Sequence, residues 1–219
     1  MKKLLAALTI IVFAAGIAQA DIIFYESFGT VTANTSLSAH TTAEGFDNND
    51  LTFTAAIGTP DIRSTANSDG AYSGASGGAN VWLPTGTTEG SALDIGSIDT
   101  SAYSGPAWTF NLSFGLIQAS GAGAENAQTF YVEYSTDGDV FSSLLSFNPT
   151  ETGWNFYSYQ DLELPASETL TLRFGHDREA NSGMRLDDVT LEAVPEPGTL
   201  GLLALGVLGA FGLRRRLMK

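Results

Sequence analysis

Residues 108–116 read Trp108-Thr109-Phe110-Asn111-Leu112-Ser113-Phe114-Gly115-Leu116. Every second side chain is large and apolar, and those between are polar or small. Side chains on a strand point alternately to the two faces of its sheet. A period of two therefore predicts one face on a core and one toward solvent.

Working outward, the same kind of short run recurs on both sides. Before it come residues 22–28, 51–57, 81–83 and 92–95. In 51–57 the residues Leu51, Phe53, Ala55 and Ile57 share one face. After it come 130–135, 140–145, 154–159, 170–175 and 184–193. Thr136-Asp137-Gly138-Asp139 separates two of these runs. Asp-Gly there predicts a hairpin, because glycine takes the positive φ of a tight turn. About ten strands and no helix are expected between residues 21 and 194. Many short strands in one domain predict an all-β, two-sheet sandwich of jelly-roll type. Residues 64–80 are nearly all small or polar, with Tyr72 the one large side chain. They and residues 30–50 read as loops.

The two ends have a different composition. Lys2 and Lys3 precede an apolar stretch over 4–18, and Ala18-Gln19-Ala20 is a small-x-small cleavage pattern. Residues 1–20 thus read as an export signal helix cut after Ala20 by signal peptidase. At the other end Val194-Pro195-Glu196-Pro197-Gly198-Thr199 leads into an uncharged stretch over 198–213, followed by Arg214, Arg215 and Arg216. Two prolines around Glu196 predict an extended backbone outside helix and strand. As a helix, 198–213 would be about 24 Å long, slightly short of a hydrocarbon core of about 30 Å. The arginines fix the topology with the chain's end inside. The expected organisation is a signal segment over 1–20, a β-sandwich ectodomain over 21–193 and a tail over 194–219 with a transmembrane helix.

This tail resembles the PEP-CTERM sorting signal of Gram-negative bacteria, with motif, apolar helix and basic end in order. The resemblance implies that Pro195, Glu196 and Pro197 are recognised by exosortase, a membrane protease. It further implies a transient inner-membrane anchor, then display at the cell surface, in a setting of exopolysaccharide and biofilm. It says nothing of what the domain between the two ends does.

That domain is acidic. Between residues 21 and 195 only four arginines face 23 carboxylates, a formal charge of −19. Such a surface repels nucleic acid and attracts divalent cations. Cysteine is absent, so thiol chemistry and disulfides are excluded. The two histidines, His40 in a loop and His176 in a solvated His-Asp-Arg cluster, are too few for a histidine zinc site. Gly74-Ala75-Ser76-Gly77-Gly78 matches a nucleophile elbow in letters. It lacks the strand before and the helix after that the elbow needs.

Calcium is the better expectation, since it takes six to eight oxygen ligands. Leu186 is out of phase with Val189 and Leu191, which predicts a β-bulge at Asp187 and Asp188. Glu26 on the first strand with Asp187-Asp188-Val189 on the last resembles calcium-bearing jelly-roll modules of extracellular adhesins and carbohydrate-binding proteins. The resemblance implies Ca2+ held by Glu26, Asp187 and Asp188. Asp47-Asn48-Asn49-Asp50 lacks EF-hand spacing and reads as a turn. Tyr103, Trp108, Trp154, Tyr157 and Tyr159 could stack on sugar rings. The expected function is therefore non-catalytic, as a structural or polysaccharide-binding surface component. The rival is a secreted carbohydrate-active hydrolase, and a permanently anchored ectodomain is a third reading.

Overall fold

The computed structural model describes residues 19–85, 90–118, 129–149, 153–177 and 183–196. Both terminal helices that the sequence predicts lie outside these residues, as do Ala18, Pro197, Arg214, Arg215 and Arg216.

Two sheets form the sandwich. The strands are β1 (Asp21–Glu26), β2 (Thr35–Ser36), β3 (Thr52–Ile57), β4 (Asp61–Arg63), β5 (Asn80–Leu83) and β6 (Ser91–Ile98). After them come β7 (Trp108–Gln118), β8 (Phe130–Ser135), β9 (Ser142–Phe147), β10 (Asn155–Leu162), β11 (Leu170–His176) and β12 (Met184–Pro195). The larger sheet runs β10-β7-β12-β5-β4-β2, with β1 also on β12. The smaller runs β3-β6-β11-β8-β9. All pairings are antiparallel.

The alternation of β7 is realised as read. Phe110, Leu112, Phe114 and Leu116 are buried in the core. They face the smaller sheet, where Phe114 meets Phe130 at 5.5 Å and Phe174 edge-on at 5.8 Å. Each such buried side chain contributes about 1.5–3 kcal/mol. On edge strand β3 only Phe53 is buried, and Ala55 is exposed. A register shift between Ala55 and Ile57 breaks the period there.

Three expectations are corrected. Residues 30–50 are not all loop, because they hold β2 and a helix, α1 (Leu37–Thr42). The Ser36 hydroxyl caps α1 by accepting the Ala39 amide at 3.2 Å. One and a half turns without a repeating apolar pattern give too little signal to read. His40 lies in α1, buried, and its ring fills the space beside Gly45. His176 is likewise fully buried at the end of β11, its ring nitrogens facing the carbonyls of Asp177, Leu83 and Pro84. Neither histidine is a solvated group.

The third correction concerns the tail. Val194 and Pro195 belong to β12, paired with Thr109 and Trp108. Pro195 is tolerated because it ends the strand, where one missing donor costs little.

Candidate functional site

β12 has two partners on one edge. Met184 to Leu186 pair with β5, and Val189 to Ala193 pair with β1. Asp187 and Asp188 fall at the changeover, and there the register against β7 shifts by one residue. This is the predicted bulge. Asp188 takes φ 51°, a left-handed backbone that favours glycine. Aspartate is among the residues that tolerate it, and the bulge turns both carboxyl groups to the outer face.

The loop over 64–79 folds down onto this point. Asp188 Oδ1 accepts the Tyr25 hydroxyl at 2.8 Å. Its Oδ2 accepts the Tyr72 hydroxyl at 2.6 Å and the Ser76 amide at 3.1 Å. The Tyr72 ring lies over Gly115, where any side chain would collide with it. Gly115 is the direct partner of Asp187 on β7.

Asp187 is fully buried. Its Oδ1 accepts the Asp188 amide at 2.9 Å, and its Oδ2 has no hydrogen-bond donor among the described residues. Burial, then the adjacent Asp188 charge, push its pKa up to about 8, while the Ser68 and Ser76 hydroxyls pull against the shift. Among the described residues no salt bridge reaches either aspartate. Arg185, two residues away, instead bonds Thr65 and Asn80 and stacks over Trp82 at 4.9 Å. Two buried carboxylates side by side without a counter-charge are unfavourable in a low-dielectric interior.

Glu26 is not part of this cluster. Consecutive strand residues point to opposite faces, and Tyr25 is the one that reaches Asp188. Glu26 points inward, fully buried. It accepts the amides of Phe28 (2.8 Å), Asp47 (3.1 Å) and Asn48 (3.2 Å), together with the Asn48 side chain. Burial raises its pKa and these donors lower it. Asp47 and Asn48 are thus a turn, tied to β1 through Glu26. The expected convergence of Glu26 with Asp187 and Asp188 is replaced by two separate sites. Among the described residues no three His, Asp or Glu side chains converge.

The chemistry of the outer cluster still fits a hard cation. It offers two carboxylates and two serine hydroxyls, one carboxylate oxygen being buried and unsatisfied. Tyr72, Ser68 and Ser76 were missed by the sequence reading. The only signals were Tyr72 as a lone large residue in a small, polar loop and Ser76 within the elbow-like run over 74–78, neither of which points to this cluster.

The aromatics divide by face. Tyr157 and Tyr159 stack on Phe114 from the core side. Tyr103 packs edge-on against Trp108 at 5.0 Å and donates to Asp21. On the outer face Phe156, 48% exposed, lies 5.4 Å from Tyr72, and Tyr25 is 40% exposed. Trp154 donates its indole N–H to the Ala66 carbonyl. Tyr25, Tyr72 and Phe156 thus form a row beside Asp188.

No curated protein matches the chain. Among solved structures, the CBM22-1 xylan-binding domain of Paenibacillus barcinonensis Xyn10C is 16% identical with a TM-score of 0.47, covering 82% of this chain and 99% of that one. TmCBM61, solved with beta-1,4-galactotriose, is 14% identical with a TM-score of 0.40, covering 64% and 86%. The K1 cleaved adhesin domain of Lys-gingipain from Porphyromonas gingivalis W83 is 15% identical with a TM-score of 0.42, covering 80% and 98%. These likenesses assign no ligand to the present chain. Residues 193–216, in contrast, match the family described as the PEP-CTERM protein-sorting motif. The chain is therefore a β-sandwich protein that carries, at its C-terminal end, the PEP-CTERM signal for export to the surface of a Gram-negative bacterium.

Proposed function

We propose that the mature domain is a non-catalytic surface module that binds polysaccharide across the outer face of its larger sheet. The observation that carries this reading is the row of Tyr25, Tyr72 and Phe156 beside Asp188. Flat apolar rings stack on sugar faces, and Phe156 and Tyr25 are the exposed ones, while the buried Asp188 holds the Tyr25 and Tyr72 hydroxyls in place. Asp187, with its raised pKa, has the titration of a general acid. It lies beneath the loop with no exposed surface, out of reach of a substrate oxygen, which favours binding over hydrolysis.

Ca2+ at Asp187 and Asp188 is the second part of the proposal. A divalent ion there supplies the missing counter-charge and fastens the 64–79 loop that carries Tyr72. Signal peptidase and the sorting protease act on the two ends, with the tail as a temporary membrane anchor.

The test is an array of bacterial and plant polysaccharides probed with the mature protein. Phe156→Ala and Tyr25→Ala should each weaken the best binding by about five- to tenfold, roughly 1–1.4 kcal/mol. Absence of binding to every polysaccharide sinks this reading. Melting in Ca2+ and in EDTA tests the ion separately, with a higher Tm in Ca2+ expected. Equal melting in both removes it.

A further inference from the structure

Val194, Pro195 and Glu196, the described start of the sorting signal, are not a free tail. Val194 pairs with Thr109 and Pro195 with Trp108 at the end of β12. Past the strand, the Glu196 amide donates to the Ala107 carbonyl at 2.8 Å. The facing end of β7 is itself held in place. Trp108 packs on Tyr103, whose hydroxyl donates to Asp21 at 2.8 Å.

A protease that reads an extended peptide contacts the backbone as a strand partner would. Here β7 already occupies one edge of that backbone. The sequence leaves little slack to work around this. Only Pro197, about 3.5 Å of extended chain, separates Glu196 from the apolar run over 198–213.

We infer that Val194, Pro195 and Glu196 form a latch, which must separate from Ala107, Trp108 and Thr109 before the sorting protease takes the motif. The separation has a natural stop. Val194 and Pro195 are half-buried, whereas Ala193 and Leu191 are fully buried in the core. Peeling back to Ala193 exposes the motif and leaves the sandwich folded. The folded domain thus sets how often its own signal is offered. This inference rests on the reading that the 193–216 signal is processed.

The natural absence of cysteine permits a direct test in the full chain, expressed in its host. Thr109→Cys with Val194→Cys joins a directly opposed pair, within reach of a disulfide. Ser113→Cys with Thr190→Cys joins another opposed pair of the same strands, away from the motif. Processing is followed by mass spectrometry of the C-terminus, with and without dithiothreitol. The first staple should slow processing at least tenfold when oxidised and not when reduced. The second should process like wild type in both conditions. Wild-type processing of the oxidised first staple overturns the latch. Equal slowing by both staples also overturns it, since the cause is then general stiffening. If the first pair of thiols fails to join under oxidant, the strands are unpaired there and the latch does not exist. An unprocessed wild type refutes the sorting reading itself, and the latch with it.

Discussion

Glu26 and Asp187 are both fully buried carboxylates, and they sit on neighbouring strands. Their surroundings differ in one respect. Glu26 faces inward and takes three backbone amides from Phe28, Asp47 and Asn48. Asp187 faces outward under a loop, takes one amide with the Ser68 and Ser76 hydroxyls beside it, and keeps one oxygen without a donor among the described residues. The same chemical group is therefore a finished structural clamp in one place and an unfinished charge in the other. Burial alone marks neither as a ligand, and the donor count separates them.

The largest expected effect falls on the finished site. Glu26→Ala strands three amides, and should cost about 3–5 kcal/mol. At roughly 2–4 °C per kcal/mol for a domain of this size, the Tm should fall by about 6–20 °C. The loss should be the same in Ca2+ and in EDTA. A loss that Ca2+ repairs would place Glu26 in the cation site and undo the contrast.

Asp187→Asn should act in the opposite direction. In the unfolded chain the carboxyl titrates near 3.8, and in the folded domain its pKa is about 8. Between those values the folded state holds a proton that the unfolded state has released. In EDTA, stability should therefore fall as pH rises from about 4 to about 8, and change little outside that range. At 1.36 kcal/mol per pH unit the penalty at pH 7 is at most about 4 kcal/mol. Asp187→Asn should flatten this slope, raise the Tm in EDTA at pH 7, and abolish any gain from Ca2+. Urea unfolding across that pH range measures all three. A variant less stable than wild type in EDTA would show that Oδ2 is already satisfied.

The smallest effect is on the loop. Tyr72→Phe removes one hydrogen bond to the Asp188 carboxylate, about 1.5 kcal/mol. Proteolysis within 64–79 should quicken while the core strands stay protected. Unchanged cleavage would mean that Tyr72 does not hold the loop down.

The legible parts of the fold were those with a period. The strand at 108–116 needed nothing but its own alternation, because period two and burial of one face are the same statement. The bulge at Asp187 and Asp188 was readable as a phase break between Leu186 and Val189. α1 was not readable, since six residues of mixed polarity have no period. Nor was the burial of His40 and His176, which depends on carbonyls distant in sequence, such as Phe28 for one and Leu83 for the other. Sequence also joined Glu26 to Asp188, because terminal strands neighbour each other and both residues are acidic. They are neighbours, but Glu26 lies opposite Val189, a core residue, and so faces the other way.

The all-β class, the acidic surface and the sorting signal of residues 193–216 are already written in the amino-acid order, because each is a matter of local pattern or composition. Which carboxylate is satisfied, that Tyr72 closes over Asp188, and that the signal begins inside the sheet follow from the packed fold alone. The reason is the same each time. These facts turn on which backbone groups two distant strands bring together, and no local pattern encodes the partner.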